Sequence, residues 1–208
     1  MNVGGTTLIV LSAYAIGSVP FALLVARYSG TTDLRRVGSG NLGAANVLRA
    51  SGVKAGVLVA PFDISKGMVS VAIARYVSDQ PAAPAAAGLA AIVGHVYPVW
   101  IRFRGGKGVA TACGVFSMLA PIAIGPALSI FALTVWLTKY VSLGSVLASL
   151  ALPPIAYIAG TPAPAVVAAW AAAALIVFRH RTNLVRLQRG GEPRFGAHTD
   201  VREGVQSR

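Results

Sequence analysis

The sequence predicts an all-α, polytopic integral membrane protein with seven transmembrane helices, its N-terminus outside and its polar loops on the cytoplasmic side. Three observations carry that reading. Of the 208 residues, 55% are hydrophobic and only 12% charged, whereas a soluble domain has charge on about a quarter of its residues. The charge is gathered between the apolar runs instead of being spread along the chain. Glycine, proline and small polar residues interrupt those runs where a lipid-facing helix has no use for them.

The net charge is +12, and eleven of those charges fall in residues 27–54, 102–107 and 179–208, with Lys139 supplying the last. Basic residues beside apolar spans mark cytoplasmic loops, and anionic lipid headgroups account for many of them. Nucleic acid is not an expected partner, because no aromatic stacking platform accompanies the basic runs. Cys113 is the one cysteine; it excludes a disulfide framework and a multi-thiolate metal site, and reads as an inert packed thiol.

Residues 1–26 carry no charged side chain, and TLIVLSAYAIGSVPFALLVA at 7–26 has about the length that crosses a ~30 Å hydrocarbon core. The basic segment of a signal peptide is missing and positive charge follows the run, so a retained span is expected. Gly17, Ser18 and Pro20 kink it. Residues 55–74 return to the outside carrying Asp63 and Lys66, three apart and therefore on one helical face. At that depth they read either as an internal ion pair or as a cavity-facing pair. Pro81 and Pro84 mark an outer turn, and residues 88–101 cross inward with His95 near the end. Between Gly108 and Phe178 the only charge is Lys139, and basic loops lie at both ends, so an even number of crossings is required. One helix from 108 to 138 would overshoot the bilayer at ~1.5 Å per residue. Four crossings are therefore favoured, giving seven in all, with five as the alternative. Pro121, Gly125 and Pro126 break the first half, and Pro153, Pro154, Gly160, Pro162 and Pro164 the second. Residues 1–190 form one membrane-embedded domain and 191–208 a polar tail, mobile after Glu192.

Three stretches carry the polarity: GSGNLGAANVLR at 38–49, RGGKGVAT at 104–111 and RHRTNLVRLQRGGE at 179–192. Bare glycine amides in turns form anion-binding concavities. In the second stretch a lysine completes the cradle and the apolar run behind it starts a helix, whose macrodipole favours an anion. Arg49, Arg179 and Arg181 are candidates for forked contacts to phosphate. RGGKG lacks the spacing of the Walker A loop, so nucleotide hydrolysis is not expected. The six acidic residues are scattered, which disfavours a metal-dependent phosphotransferase. Trp100 and Val185 stand five residues after His95 and His180, where the common His-Asp acyltransferase pattern needs Asp. What remains is a metal-free, cofactor-free site dominated by donors, suited to a good leaving group and an anionic transition state. A small-anion transporter and a non-catalytic membrane scaffold are the readings from other classes.

These stretches, with GSVP at 17–20, DISKG at 63–67 and GHVYPVWIRFRGGKGVAT at 94–111, follow the order and spacing of the bacterial acyl-phosphate-dependent glycerol-3-phosphate acyltransferases, the PlsY family, which the chain resembles from Ser18 to Glu192. The resemblance implies transfer of a fatty acyl group from acyl phosphate to the 1-hydroxyl of sn-glycerol 3-phosphate. The products are 1-acyl-sn-glycerol 3-phosphate and inorganic phosphate, made at the cell membrane as the first acylation of phospholipid biosynthesis. It implies catalytic roles for Ser39, Lys107, His180 and Asn183. Substrate binding falls to Asn41, Asn46, Arg49, Lys66, His95, Gly105, Gly106 and Gly108, with the glycines in the phosphate loop and Glu192 structural. Direct attack by the acceptor hydroxyl is the expected mechanism, with an acylated Ser39 as its rival and His180 or a substrate phosphate oxygen as the base.

Overall fold

A computed structural model describes residues 3–30, 34 and 41–196. In these the chain forms helices and no strand, as buried spans must when no water is at hand to satisfy backbone groups. The first run is split into α1 (Val3–Gly17) and α2 (Phe21–Tyr28). Pro20 has no N–H to continue the ladder, and the Ser18 hydroxyl turns back to the Tyr14 carbonyl, 2.8 Å away. The stretch 44–51 is a short helix, α3 (Ala44–Ser51), ended by Gly52 at φ +86°. There follow α4 (Val53–Val77), α5 (Ala83–Val96), a 3-10 turn (Val99–Ile101), α6 (Val109–Leu119), α7 (Pro121–Thr138), α8 (Val141–Ile158) and α9 (Ala163–Arg179). The last, α10 (Arg181–Gln188), is bent by 53° from α9.

Five helical runs, counting α1 and α2 as one, are long and apolar enough to cross a membrane, or six when α9 and α10 count as a single bent span. Four helices do lie between Gly108 and Phe178, but α6 has 11 residues and rises only ~16 Å. The breaks also fall elsewhere than the proline count suggests. Pro126, Pro153 and Pro154 sit inside helices, where neighbouring helices can accommodate the freed carbonyls. The break between α6 and α7 comes at Ala120, φ −141°, because the residue before a proline is pushed out of the helical region. Arg75 Nη2 donates to the Met118 carbonyl at 2.6 Å and caps that end of α6.

The helices pack through small residues: α1 along α5, α4 between α5 and α6, α7 on α8 and α8 on α9. The main core sets Ile92, Val115 and Phe116 among the alanines of α9, the close-approach chemistry of helices that have no hydrophobic drive between them. Leu133, Trp136 and Leu137 of α7 are exposed, a surface suited to lipid. At the α4–α6 contact a side chain on Gly114 would overlap the Ile64 carbonyl oxygen, whereas one on Gly125 of α7 meets open space. Gly114→Val should therefore lower stability by about 1–3 kcal/mol, read as a lower thermal midpoint in detergent.

Phe195 N–H donates to the Lys139 carbonyl at 2.6 Å, and the Arg194 guanidinium lies 5.6 Å from the Tyr140 ring centroid. Residues 193–196 are thereby tied to the turn between α7 and α8, by contacts no local sequence signal announces. Residues 197–208 lie outside the described residues.

Candidate active site

Each polar stretch leads into the start of a helix. Gly43 caps α3, Gly108 caps α6 and His180 caps α10. Gly108 holds φ +88°, a left-handed turn that costs a glycine little and other residues more. All three helix starts line one cavity of about 290 Å³. The first contributes Asn41, Gly43, Ala44 and Asn46; the second Lys107, Gly108, Val109 and Ala110; the third His180 and Asn183. The first turn of a helix has N–H groups without intrahelical partners and carries roughly half a positive charge. Three such ends around one space, with Lys107 among them, make an anion site.

The lining is chemically mixed. Beside the donors it includes the apolar wall of Cys113, Leu128 and Phe131. Together with Val109 these also border an almost wholly apolar space of about 60 Å³ that runs between α6, α7, α8 and α9 towards Phe116 and Leu152.

Lys107 is held by a chain of hydrogen bonds. Its ammonium donates to Asn183 Oδ1. The other side of that amide, Nδ2, donates to Glu192 Oε1 at 2.6 Å, and Arg186 Nε donates to Glu192 Oε2 at 2.9 Å. Glu192 thus fixes which way the Asn183 amide faces and turns its oxygen to the lysine. Burial opposes the charge of Glu192, but hydrogen bonds from Asn183 and Arg186 outweigh it and hold the carboxyl below its usual pKa.

His180 lies just past the apolar run of α9 and is 3% exposed. Its Nδ1 is 2.8 Å from the Ile176 carbonyl oxygen; a carbonyl only accepts, so Nδ1 carries the proton and Nε2 is the ring's acceptor. Burial and then the Lys107 charge lower its pKa to about 4. Nitrogen NMR of histidine-labelled protein should accordingly show a neutral, Nδ1-protonated His180 between about pH 5.5 and 8. Protonation within that interval would contradict this assignment.

The loop of Gly105 and Gly106 rests on the end of α5. Gly105 N–H donates to the Val96 carbonyl and Gly106 N–H to the His95 carbonyl, both at 3.1 Å. From the other side Arg179 Nη2 lies 3.3 Å from the Gly106 carbonyl oxygen. Arg179 therefore grips the loop backbone. Arg181 is turned outward, donating to the Phe178 carbonyl at 3.0 Å with its guanidinium over the Phe178 ring.

Of the residues expected from the sequence, Asn41, Asn46, His95, Lys107, Gly108, His180 and Asn183 come together on the main cavity. Gly105, Gly106 and Lys66 border a water-sized space behind it, which His95 also reaches. Asn46 Nδ2 donates to the Leu34 carbonyl at 2.9 Å, which anchors the turn before α3. Ser39 lies outside the described residues, and of Arg49 the structure describes only the backbone, within α3. Sequence reasoning missed Ser142 and Ser145 of α8, which line the cavity. Their spacing of three on one helical face was the available signal.

Comparisons with known proteins identify the family. The family model described as glycerol-3-phosphate acyltransferase matches residues 7–190. A glycerol-3-phosphate acyltransferase of Syntrophotalea carbinolica is 46% identical over 192 residues, covering 91% of this chain and 97% of its own. One of Geotalea daltonii is 43% identical, covering 90% and 96%. Among solved structures, PlsY (YgiH), an integral membrane glycerol 3-phosphate acyltransferase in its glycerol 3-phosphate form, superposes with a TM-score of 0.87 at 40% identity. That match covers 92% of this chain and 96% of that one. The lysophosphatidic acid form of PlsY superposes with a TM-score of 0.84 at 38% identity, covering 92% and 95%. With two thirds of every chain exceeded at these identities, this polypeptide belongs to the glycerol-3-phosphate acyltransferase family of integral membrane enzymes.

Proposed function

We propose that the enzyme transfers a fatty acyl group from acyl phosphate to the 1-hydroxyl of sn-glycerol 3-phosphate, releasing lysophosphatidic acid and inorganic phosphate. The observation that carries the reading is the convergence of three helix starts and Lys107 on one cavity that is also lined by Leu128 and Phe131. Both substrates bring phosphate, and one brings a hydrocarbon chain. Glycerol 3-phosphate places its phosphate on the loop 105–108, against the start of α6. The acyl phosphate places its phosphate by Asn41, Asn46 and the start of α3, with its chain towards Leu128 and Phe131. The acceptor oxygen attacks the acyl carbon, the bond from that carbon to the phosphate oxygen breaks, and phosphate leaves. Two bases can receive the hydroxyl proton, His180 Nε2 and an oxygen of the departing phosphate, whose second pKa is about 6. Lys107 and the helix amides stabilise the negative charge that develops. Ser39 and Arg49, by the same reading, complete the donor set.

The test supplies washed membranes with synthetic acyl phosphate and labelled glycerol 3-phosphate and no CoA. Labelled lysophosphatidate formed together with inorganic phosphate supports the proposal. Formation only with acyl-CoA or acyl carrier protein as donor would refute it, and uptake of label without acylation would favour a carrier.

We also infer seven crossings of the cell membrane with the N-terminus outside. The basic loops at 27–54, 102–107, 139 and 179–194 alternate with charge-poor turns, and the positive-inside rule puts the former on one face. The short α6 is compatible with a crossing because it starts from a loop recessed on the end of α5 and meets α7 at Ala120. A cysteine in place of Asp79 should react with an impermeant reagent added outside intact cells, and one in place of Arg189 only after lysis. The reverse pattern would invert the topology.

A further inference from the structure

The reaction above gives no task to a buried charge cluster next to the loop. Lys66 Nζ lies 2.8 Å from Asp63 Oδ1, and both side chains are 3% exposed. His95 Nδ1 lies 3.4 Å from the same carboxylate oxygen. Lys66 also donates to the Val19 carbonyl at 3.2 Å, one of the groups freed by the break between α1 and α2. Asp63 and His95 also line the main cavity, but the space that Lys66 shares with them and with Gly105 and Gly106 is about 10 Å³, room for about one water and none for a substrate. The next contact is the informative one. A side chain on Gly106 would overlap His95 Nε2, so the loop is seated directly on the histidine ring.

The cluster is thus a linear arrangement: the broken first span, Lys66, Asp63, His95, loop. Burying an ion pair costs desolvation that its attraction only about repays. Directional contacts between three elements do, however, fix where the ring stands. We propose that Lys66 and Asp63 are positioning residues for glycerol 3-phosphate: the lysine neutralises the carboxylate, the carboxylate holds the His95 ring, and the ring sets the height of the loop at Gly106. Lys66 does this without touching substrate. The inference rests on the reading of residues 105–108 as the acceptor's phosphate loop.

Lys66→Met alone would strand a buried carboxylate, so the test uses the charge-neutral double variant Asp63→Asn/Lys66→Met, with Lys66→Arg as the conservative partner. Calorimetric binding of glycerol 3-phosphate, which needs no acyl donor, is measured first and steady-state kinetics second. The double variant should unfold close to the parent's midpoint, with Kd and KM for glycerol 3-phosphate raised at least about tenfold. KM for acyl phosphate and kcat should each stay within about threefold of the parent, and Lys66→Arg should recover most of the binding. A parental Kd, an equal rise in both KM values, or a fall confined to kcat would overturn the inference. If the double variant does not fold, His95→Gln, which leaves the ion pair in place, is read by calorimetric Kd for glycerol 3-phosphate alone: a rise of at least about tenfold supports the inference and a parental Kd overturns it. A parent that binds glycerol 3-phosphate but does not use acyl phosphate would refute the proposed reaction and leave the positioning role still measurable.

Discussion

Lys107→Met is expected to lower kcat/KM by roughly a hundred- to a thousandfold, the range seen when a preorganised donor is removed from a developing oxyanion. Among the described residues, the lysine is the cation that lines the main cavity, and its ammonium is aimed by Asn183. Removing it also leaves Asn183 Oδ1 without that donor, at a cost of about 1–3 kcal/mol. Folding must therefore be checked by the thermal midpoint before the rate is interpreted. Lys107→Arg keeps the charge but changes its shape, and the forked guanidinium cannot take the ammonium's place on the Asn183 oxygen without displacing it. It should recover only part of the rate. A folded Lys107→Met enzyme with more than about a tenth of parental kcat/KM would show that the lysine does not act on the reacting phosphates.

The second large effect belongs to Gly106. A Cβ at this position would overlap His95 Nε2 and come within 2.9 Å of the Leu42 carbonyl oxygen. The first neighbour is a ring already held by Asp63, and the second is backbone. Neither can retreat cheaply, so Gly106→Val should move the loop. KM for glycerol 3-phosphate is expected to rise at least about thirtyfold, corresponding to ~2 kcal/mol of lost acceptor binding, with KM for acyl phosphate changed far less. Initial-rate measurements with each substrate varied in turn make the comparison. Equal increases in both constants would mean that the loop serves both phosphates or neither.

Much of this site was legible because its chemistry is compositional. Asn, Ser, Gly and Arg stand out against Ala, Val and Leu, and glycine beside lysine before an apolar run announces a helix start that binds an anion. Charge parity around Lys139 requires an even number of crossings between Gly108 and Phe178, and helix length favours four; four helices lie there, of which α6 is short. What the sequence hid was tertiary. The spacing of Ser142 and Ser145 puts them on one face of α8, but only packing turns that face to the cavity, and nothing local says that residues 193–196 fold back on the turn at Lys139. The stretch 41–49 reads as a polar turn, yet most of it is helix, because Gly43 ends the turn and Gly52 ends the helix two turns later. Lys66 is the clearest case. A cation in an apolar run must have a partner, and Asp63 three residues earlier is an obvious one. That His95, 32 positions away in sequence, meets the same carboxylate oxygen follows only from α4 packing on α5.

The central claim is that one cavity holds both phosphates and delivers the acceptor hydroxyl to the acyl carbon. The most direct measurement is a structure of this enzyme with glycerol 3-phosphate and a non-hydrolysable acyl phosphonate bound together. The account predicts the acceptor phosphate on Lys107 and on the start of α6 at Gly108, and the phosphonate beside Asn41 and Asn46. The acceptor's 1-hydroxyl should then stand about 3–3.5 Å from the acyl carbonyl carbon. Phosphates bound in separate cavities, or an acyl carbon facing Ser39 with the acceptor hydroxyl out of reach, would contradict it.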